Sequence, residues 1–217
     1  MPYYAVFEGT VYTDKQEASY KFYETLNPHL RKQPGLVEEI NYLNDKPNDS
    51  MLLSSWINEE ALVGWQVLPI HLRIQKAGRE SVFSSYRIRT GYESDSTTCR
   101  MTSKTGSFMV LFQHPKDSAL QPENLHGSLP SGMKHLLRED CKHNEVFQGL
   151  LDHSIWLTET HILHVSGWPN LEAAERFGHS LKRVPGDWLR RIAVHRDYTK
   201  TDREEAPAKT EPDCMER

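Results

Sequence analysis

A histidine and a glutamine lie one helical turn apart between residues 69 and 78. His71 and Gln75 are four positions apart, so in a helix both side chains lie on one face. A neutral imidazole can accept a proton from an acidic hydroxyl near neutral pH, and an amide can hydrogen-bond the same oxygen. The alternative is that His71 caps local backbone or faces solvent. From the shared helix face and this proton chemistry, we predict that His71 and Gln75 are the catalytic pair.

Two tryptophans precede this pair. Trp56 ends a predicted strand and Trp65 lies in the helix that follows it. An indole offers a flat apolar face and one N–H donor, which suits an aromatic substrate. The same residues can fill a core, and Trp168 and Phe177 recur at equivalent positions later in the chain. We predict Trp56 and Trp65 as substrate-binding residues, with core packing as the alternative.

Two polar residues, Arg79 and Tyr86, complete the predicted substrate-binding site. Tyr86 lies on a predicted strand with Arg87 and Arg89, so the tyrosine faces one side and the two arginines the other. A guanidinium stays charged and offers fixed donors to an anionic oxygen. The alternative for these arginines is salt bridges to nearby carboxylates, namely Glu38, Glu39 and Glu80.

The other histidines do not predict a metal site. His161 and His164 are three apart in a predicted strand and should face opposite sides, and His153 lies in a different strand. The three cysteines are far apart and have no C-x-x-C spacing. This pattern fits a reducing compartment, and we expect a cytoplasmic protein with no metal.

Composition limits the other function classes. The chain has 217 residues, 37% of them hydrophobic and 26% charged, with a formal net charge of -4. No apolar run approaches the roughly 20 residues that span a bilayer. Lysine and arginine are scattered and form no basic stripe. We therefore expect neither a membrane nor a nucleic acid as a partner, and the length allows one large domain or two small ones.

Hydrophobic patterning predicts four strands in the first half, over residues 4–11, 36–43, 51–57 and 82–92. Asp14 and Glu17 have capping-box spacing for the first helix. Asn58 is the expected N-cap of the next helical segment, which Pro69 should break. The resulting order, strand-helix-strand-strand-helix-strand, is that of a ferredoxin-like fold.

The second half repeats this pattern. It begins with a predicted strand over 107–114 and a helix-compatible stretch over 116–137, and ends with a predicted hairpin over 145–157 and 160–168. Segments 55–65 and 167–177 share a Trp at a strand end, an Asn cap, an acidic first turn and an aromatic residue nine positions after the Trp. We infer an internal repeat.

The repeat predicts the domain organisation. Residues 1–93 form a first ferredoxin-like domain, 94–105 a linker, 106–198 a degenerate second domain, and 199–217 a polar, flexible tail. The predicted fold is α+β, with the two antiparallel sheets packed face to face as a barrel-like pseudo-dimer. The first copy has extra residues after Trp65, so we place the functional site in the first domain.

The pattern Trp65-x-x-x-Pro69-x-His71-x-x-x-Gln75-x-x-Gly78-Arg79, with 53–61 before it and 86–89 after it, resembles the antibiotic biosynthesis monooxygenase (ABM) domain family. The resemblance covers residues 3–93. It implies a ferredoxin-like domain that pairs into a dimeric α/β barrel, which a chain with two copies can form alone. A homodimer of the whole chain is a further expectation.

The resemblance also implies a reaction. It predicts a monooxygenase of secondary metabolism that oxidises a polycyclic phenolic or polyketide-derived substrate, with O₂ as co-substrate and no cofactor. In that mechanism His71 removes the phenolic proton, while Gln75 and Trp56 hold the oxygen and the ring.

Three alternatives stay open on the same fold. A polyketide cyclase or isomerase would use His71 as a base without O₂. A haem-degrading monooxygenase would use Trp65, but the family's haem-ligating histidine falls at Gln75, one turn beyond His71. A stress-response or binding barrel would have no turnover.

Overall fold

The computed structural model describes residues 1–94, 103–120, 131–141 and 143–207. The first half contains β1 (Tyr3–Val11), α1 (Gln16–Leu30), β2 (Leu36–Leu43), β3 (Asp49–Trp56), α2 (Glu59–Gln66), α3 (Pro69–Ala77) and β4 (Phe83–Glu93). The second half contains β5 (Phe108–Pro115), α4 (His143–Val146), β6 (Asp152–Leu157), β7 (His161–Trp168), α5 (Leu171–Ser180) and β8 (Trp188–Thr199).

The eight strands form one closed antiparallel barrel in the order β1-β3-β2-β6-β7-β5-β8-β4. Each half contributes four neighbouring strands in ferredoxin-like order, β4-β1-β3-β2 and β8-β5-β7-β6. The halves join where β4 pairs with β8 along most of its length and where β2 pairs with β6 at Leu43 and Leu157. The predicted α+β fold, with two sheets that face each other across a barrel, is confirmed.

A glycine permits the longer of these two junctions. The register between β4 and β8 shifts between Thr90 and Gly91. A Cβ atom on Gly91 would lie 2.0 Å from the carbonyl oxygen of Ala193. Because only glycine lacks that atom, the close approach of the two strands depends on this residue.

Three apolar cores follow from the alternation of side chains along the strands. The barrel interior is filled by residues from both halves, including Val6, Met51, Leu111, Val165 and Ile192. The helices of the first half pack on the outside of the barrel over Tyr3, Trp56, Leu62 and Trp65. A third and larger core lies outside the second half, around Phe112, Met133, Trp168 and Phe177.

The internal repeat is visible in atomic detail. The Asn58 side chain accepts from the Ala61 N–H at 2.9 Å, and the Asn170 side chain accepts from the Ala173 N–H at the same distance. Both asparagines cap the helix that follows, as predicted for Asn58. Pro69 occupies the first turn of α3, which separates it from α2 as expected.

Three local predictions are wrong. The strand predicted over 145–157 begins only at Asp152, and α4 (His143–Val146) covers the start of that range. The first helix begins at Gln16, and its N-cap, Lys15, makes no side-chain capping bond, because Asp14 lies in a preceding 3₁₀ turn. The stretch 116–137 has, in its described part, a 3₁₀ helix over Ser131–Leu136 instead of an α-helix. Residues 121–130 of that stretch lie outside the described residues.

The domain boundaries and the homodimer stay predictions. Residues 95–102 of the predicted linker and 208–217 of the predicted tail lie outside the described residues. Within the described ranges, no helix is long and apolar enough to cross a membrane.

Candidate functional site

An open cavity of about 490 Å³ lies at one end of the barrel. The first half lines it with residues that include Glu8, Ser85, Tyr86, Arg87 and Arg89. The second half adds Asp152, His153, Ser154, Trp156 and Lys200. Both halves therefore form the cavity. It lies where the carboxyl end of β1 meets the amino ends of β4 and β6.

Arg89 is the central charge of this cavity wall. Its Nη1 donates to Asp152 Oδ1 at 2.8 Å and its Nη2 donates to Glu8 Oε2 at 2.7 Å. The Arg89 side chain is only 3% exposed, so the buried charge is neutralised by two carboxylates. Its Nε is buried and, among the described residues, has no hydrogen-bond partner.

Arg87 extends the network toward β8. Its Nε and Nη2 form a bidentate pair with Asp197 at 2.8 and 2.6 Å, and its Nη1 donates to Asp152 Oδ2 at 2.8 Å. The Asp197 hydrogen bond raises the pKa of Arg87. Burial raises the pKa of Asp152, but Arg89 and Arg87 outweigh burial and lower it overall. Asp152 is therefore held ionised.

The predicted partners of these arginines are wrong. Glu8, Asp152 and Asp197 take the place of the carboxylates predicted from neighbouring sequence. Of those predicted, Glu39 instead accepts from Asn27 and lies 3.5 Å from Arg31.

A tryptophan and a serine hold the second oxygen of Glu8. Ser154 Oγ donates to Glu8 Oε1 at 2.6 Å, and the Trp156 indole N–H lies 2.8 Å from Ser154 Oγ and 3.3 Å from Glu8 Oε1. The Glu8 carboxylate is thus fixed by three neighbours. Gly167 makes room for this arrangement, because a Cβ atom there would lie 2.5 Å from Asp152 Oδ2.

The predicted catalytic pair lies outside the barrel, between α2 and α3. The Trp65 carbonyl lies 3.0 Å from His71 Nδ1, and the His71 ring stacks on the Trp65 ring with centroids 4.1 Å apart. Gln75 Nε2 donates to the Gln66 carbonyl at 3.2 Å. His71 and Gln75 therefore bond carbonyls at the C-terminal end of α2. Burial lowers the pKa of His71 to about 4. Their catalytic role stays a prediction.

The four predicted substrate-binding residues do not form one site: Trp56 and Trp65 share a core, whereas Arg79 and Tyr86 lie elsewhere. Trp56 is fully buried under the helices of the first half, and its indole N–H donates to Ser54 Oγ at 3.0 Å. Trp65 packs in the same core. Arg79 lies in a π-helical turn over Gly78–Val82. Tyr86 is among the residues that line the barrel cavity, but its ring packs on Phe7 and Phe83, on the face of β4 opposite to Arg89, and its hydroxyl accepts from Arg203 Nη1 at 2.6 Å.

Sequence reasoning missed a cluster of buried histidines outside the second half of the barrel. His114 Nε2 lies 3.3 Å from His164 Nε2, and His164 Nδ1 lies 3.2 Å from His153 Nε2. His135 packs against His164 with ring centroids 5.8 Å apart. Alternation along a strand predicts the face on which a histidine lies. It does not predict which strands are neighbours in the barrel. In the part of the chain that the structure describes, no group of three or more His, Cys, Asp or Glu residues is arranged to hold a metal ion.

No family model matches the chain. Jasmonate monooxygenase ABM of Pyricularia oryzae is 26% identical to it over 208 residues, which cover 85% of this chain and 86% of that protein. This similarity extends over both halves. The resemblance to the ABM domain family is confirmed.

Solved structures also match. An antibiotic biosynthesis monooxygenase is 10% identical and covers 43% of this chain and 99% of its own, with a TM-score of 0.40. A Pseudomonas aeruginosa protein is 17% identical, covers 43% of this chain and 95% of its own, and has a TM-score of 0.40. A Fusobacterium nucleatum protein is 10% identical and covers 90% of this chain and 93% of its own, with a TM-score of 0.37.

Proposed function

We propose that this chain is a monooxygenase of the ABM type that oxidises a small organic substrate in the barrel cavity. The observation that carries the proposal is the similarity over 85% of the chain to a protein named as a monooxygenase. The cavity supports it, because about 490 Å³ falls within the range of sites that hold small molecules.

The cavity wall carries fixed charges that can orient a polar substrate. Arg87 and Arg89 are fixed by their carboxylate partners, so their orientation does not have to change during a reaction. Preorganised donors of this kind stabilise charge that develops in a transition state.

We propose an acidic phenol with a neighbouring methylene, of the hydroxyanthrone type, as the substrate class. Loss of one proton gives an electron-rich anion that adds O₂ at the methylene carbon. Two C–H bonds break and one C=O bond forms, and the second oxygen atom leaves as water. The substrate supplies all four electrons that O₂ accepts, so this proposal requires no cofactor.

The name of the Pyricularia oryzae relative supports a second substrate, jasmonate, which carries a carboxylate. Insertion of one oxygen into a C–H bond would need two electrons from an external reductant in addition to those of the substrate. The same arginines would hold the carboxylate. Jasmonate therefore belongs in the substrate panel, with and without a two-electron reductant such as ascorbate.

Oxygen uptake tests the proposal. The purified chain is incubated with a hydroxyanthrone panel and with jasmonate, in air and under argon, and products are identified by mass spectrometry with ¹⁸O₂. We expect one ¹⁸O atom in the product and no turnover under argon. Turnover that persists without O₂ would instead establish the cyclase or isomerase, and a Soret band on haem titration would favour the haem alternative.

A further inference from the structure

The chain that follows β8 folds back onto the barrel beside the cavity. We call this segment, residues 200–207, the strap. Its first two residues, Lys200 and Thr201, line the cavity together with Thr199, the last residue of β8. The Thr199 N–H donates to the Asp202 carbonyl at 2.7 Å, and the Asp202 N–H donates to Thr199 Oγ1 at 3.0 Å. These two hydrogen bonds turn the strap back toward β8.

An arginine anchors the strap to the outer face of the barrel. Arg203 Nη1 donates to the Tyr86 hydroxyl at 2.6 Å, and the guanidinium lies over the Tyr198 ring, with Cζ 5.7 Å from the ring centroid. Both tyrosines are buried, Tyr86 on β4 of the first half and Tyr198 on β8 of the second. Because one guanidinium contacts both rings, Arg203 joins β4 to the end of β8.

A glutamate anchors the strap to the edge of β8. Glu205 Oε2 accepts from the Asp197 backbone N–H at 2.6 Å. In the described part of the chain, β5 pairs with β8 only as far as Ala193, so this N–H lies beyond that pairing. A carboxylate forms a short and strong hydrogen bond with a backbone N–H. Glu205 thus satisfies a backbone donor that β5 does not reach.

The side chain of Asp197 connects this anchor to the cavity wall. Its two oxygens accept from Arg87 Nε and Nη2 at 2.8 and 2.6 Å, and Arg87 Nη1 donates to Asp152 at 2.8 Å. Arg87 lines the cavity and keeps 33% of its side chain exposed. A bidentate pair holds a guanidinium in one orientation only if the carboxylate is itself fixed. Glu205 therefore holds Arg87 through the residue that lies between them.

We propose that Arg203 and Glu205 are positioning residues, which fix the guanidinium of Arg87 in the cavity wall through the end of β8. Neither is among the residues that line the cavity, so each acts through β8. The effect on turnover rests on the proposed oxygenase function, whereas the orientation of Arg87 does not depend on it. A displacement of about 1 Å in a group that orients a substrate can cost about 100-fold in rate. The strap therefore sets how precisely the charged wall faces the substrate.

The orientation of Arg87 can be measured without a substrate. A guanidinium Nε–H that a carboxylate holds exchanges with solvent more slowly than a free one, and its exchange rate reports how often the pair opens. ¹H–¹⁵N spectra of the full chain give this rate for Arg87, whose signal is identified by its loss in Arg87→Lys. The Nε–H of Arg183, which donates to Asp187 before the start of β8, is the internal reference.

Matched variants test each anchor of the strap separately. Glu205→Ala removes the acceptor of the Asp197 N–H, whereas Glu205→Gln keeps an acceptor oxygen. Arg203→Met removes the donor to Tyr86, whereas Arg203→Lys keeps a cationic donor. Glu204→Ala is the matched control, because Glu204 is an exposed glutamate of the same strap.

We expect exchange at Arg87 Nε–H to accelerate about 10-fold in Glu205→Ala and in Arg203→Met. The conservative variants and Glu204→Ala should keep the original rate, and the Arg183 signal should not change in any variant. In the two disruptive variants, kcat for the hydroxyanthrone substrate should fall about 10-fold, and the conservative variants should restore it.

Two results would overturn the positioning role. One is an unchanged exchange rate at Arg87 in folded Glu205→Ala and Arg203→Met proteins. The other is an equal acceleration at Arg183, which would show a general loss of structure. Absence of oxygen uptake by the unaltered protein overturns the oxygenase proposal instead and leaves the exchange result unaffected, so the two failures are distinguishable.

Discussion

Arg89 and Asp152 meet across the interior of the barrel, with a hydrogen bond of 2.8 Å between Arg89 Nη1 and Asp152 Oδ1. Arg89 belongs to β4 in the first half and Asp152 to β6 in the second. These strands are on opposite sides of the closed sheet. A charged contact thus joins the two halves where the cavity opens, and stability and site geometry depend on the same residues.

Replacement of Arg89 should destabilise the fold strongly. Arg89→Met removes the positive charge that neutralises the buried carboxylates of Glu8 and Asp152. Removal of one partner of a buried ion pair costs about 3–5 kcal/mol. We expect a loss of about 3 kcal/mol in the free energy of unfolding at pH 7, measured by urea denaturation. Arg138→Met is the control, because Arg138 pairs with Asp140 in solvent and should leave the free energy of unfolding nearly unchanged. Equal losses in both variants would contradict the prediction.

The repeated helix caps should contribute equally in the two halves. Asn58→Ala and Asn170→Ala each remove a side-chain acceptor from the first turn of a helix, at about 1 kcal/mol per cap. The two helices share no capping partner, so the double variant should lose about 2 kcal/mol. Thermal or urea unfolding measures these differences. Asn58→Asp and Asn170→Asp keep the acceptor and should retain most of the stability; a loss as large as that of the alanines would argue against capping.

The repeat and the caps were predictable because they are local. Asn58 and Ala61 are three residues apart, so a short sequence pattern contains the whole interaction. Alternation along strands likewise put Arg87 and Arg89 on one face, which is the face that lines the cavity. The strand order then follows from two ferredoxin-like units.

The contacts that form the candidate site were not predictable by the same reasoning. Glu8 and Arg89 are 81 positions apart, and His114 and His164 are 50 apart. These contacts depend on the strand order and the register within a barrel that both halves close. The spacing of residues in the sequence predicts neither the order nor the register. His71 shows the converse: its helical spacing from Gln75 is as expected, but both side chains bond the end of a neighbouring helix.

Acid should destabilise the protein through its buried histidines. Histidine in an unfolded chain titrates near 6.5, whereas burial lowers the pKa of His153 and of His135 to about 4. The unfolded state therefore binds more protons between pH 6.5 and 4, so stability is complete above this window and falls as the pH drops through it. Each such histidine contributes about 2 kcal/mol to the loss between pH 7 and 4.5.

Urea denaturation across that pH range checks this expectation. His153→Gln removes one of the groups, so its stability should fall about 2 kcal/mol less than that of the unaltered protein between pH 7 and 4.5. His29→Gln, an exposed position on α1, should leave the pH dependence of unfolding unchanged. Parallel curves for the unaltered protein and His153→Gln would show that the buried histidine is not the source.

The location of the substrate can be decided by two substitutions at separate places. Ser85 is exposed and lines the cavity, so Ser85→Trp should fill its mouth without disturbing the core. We expect kcat/KM for the hydroxyanthrone substrate to fall at least about 10-fold, which corresponds to about 1.4 kcal/mol of lost transition-state binding. Ser81→Trp, at an exposed position outside that lining, is the control for added aromatic surface.

His71→Gln should retain most of the activity, since His71 bonds the Trp65 carbonyl outside the barrel. A loss of 100-fold in His71→Gln with full activity in Ser85→Trp would move the site from the barrel cavity to the helices of the first half, as the sequence alone predicted.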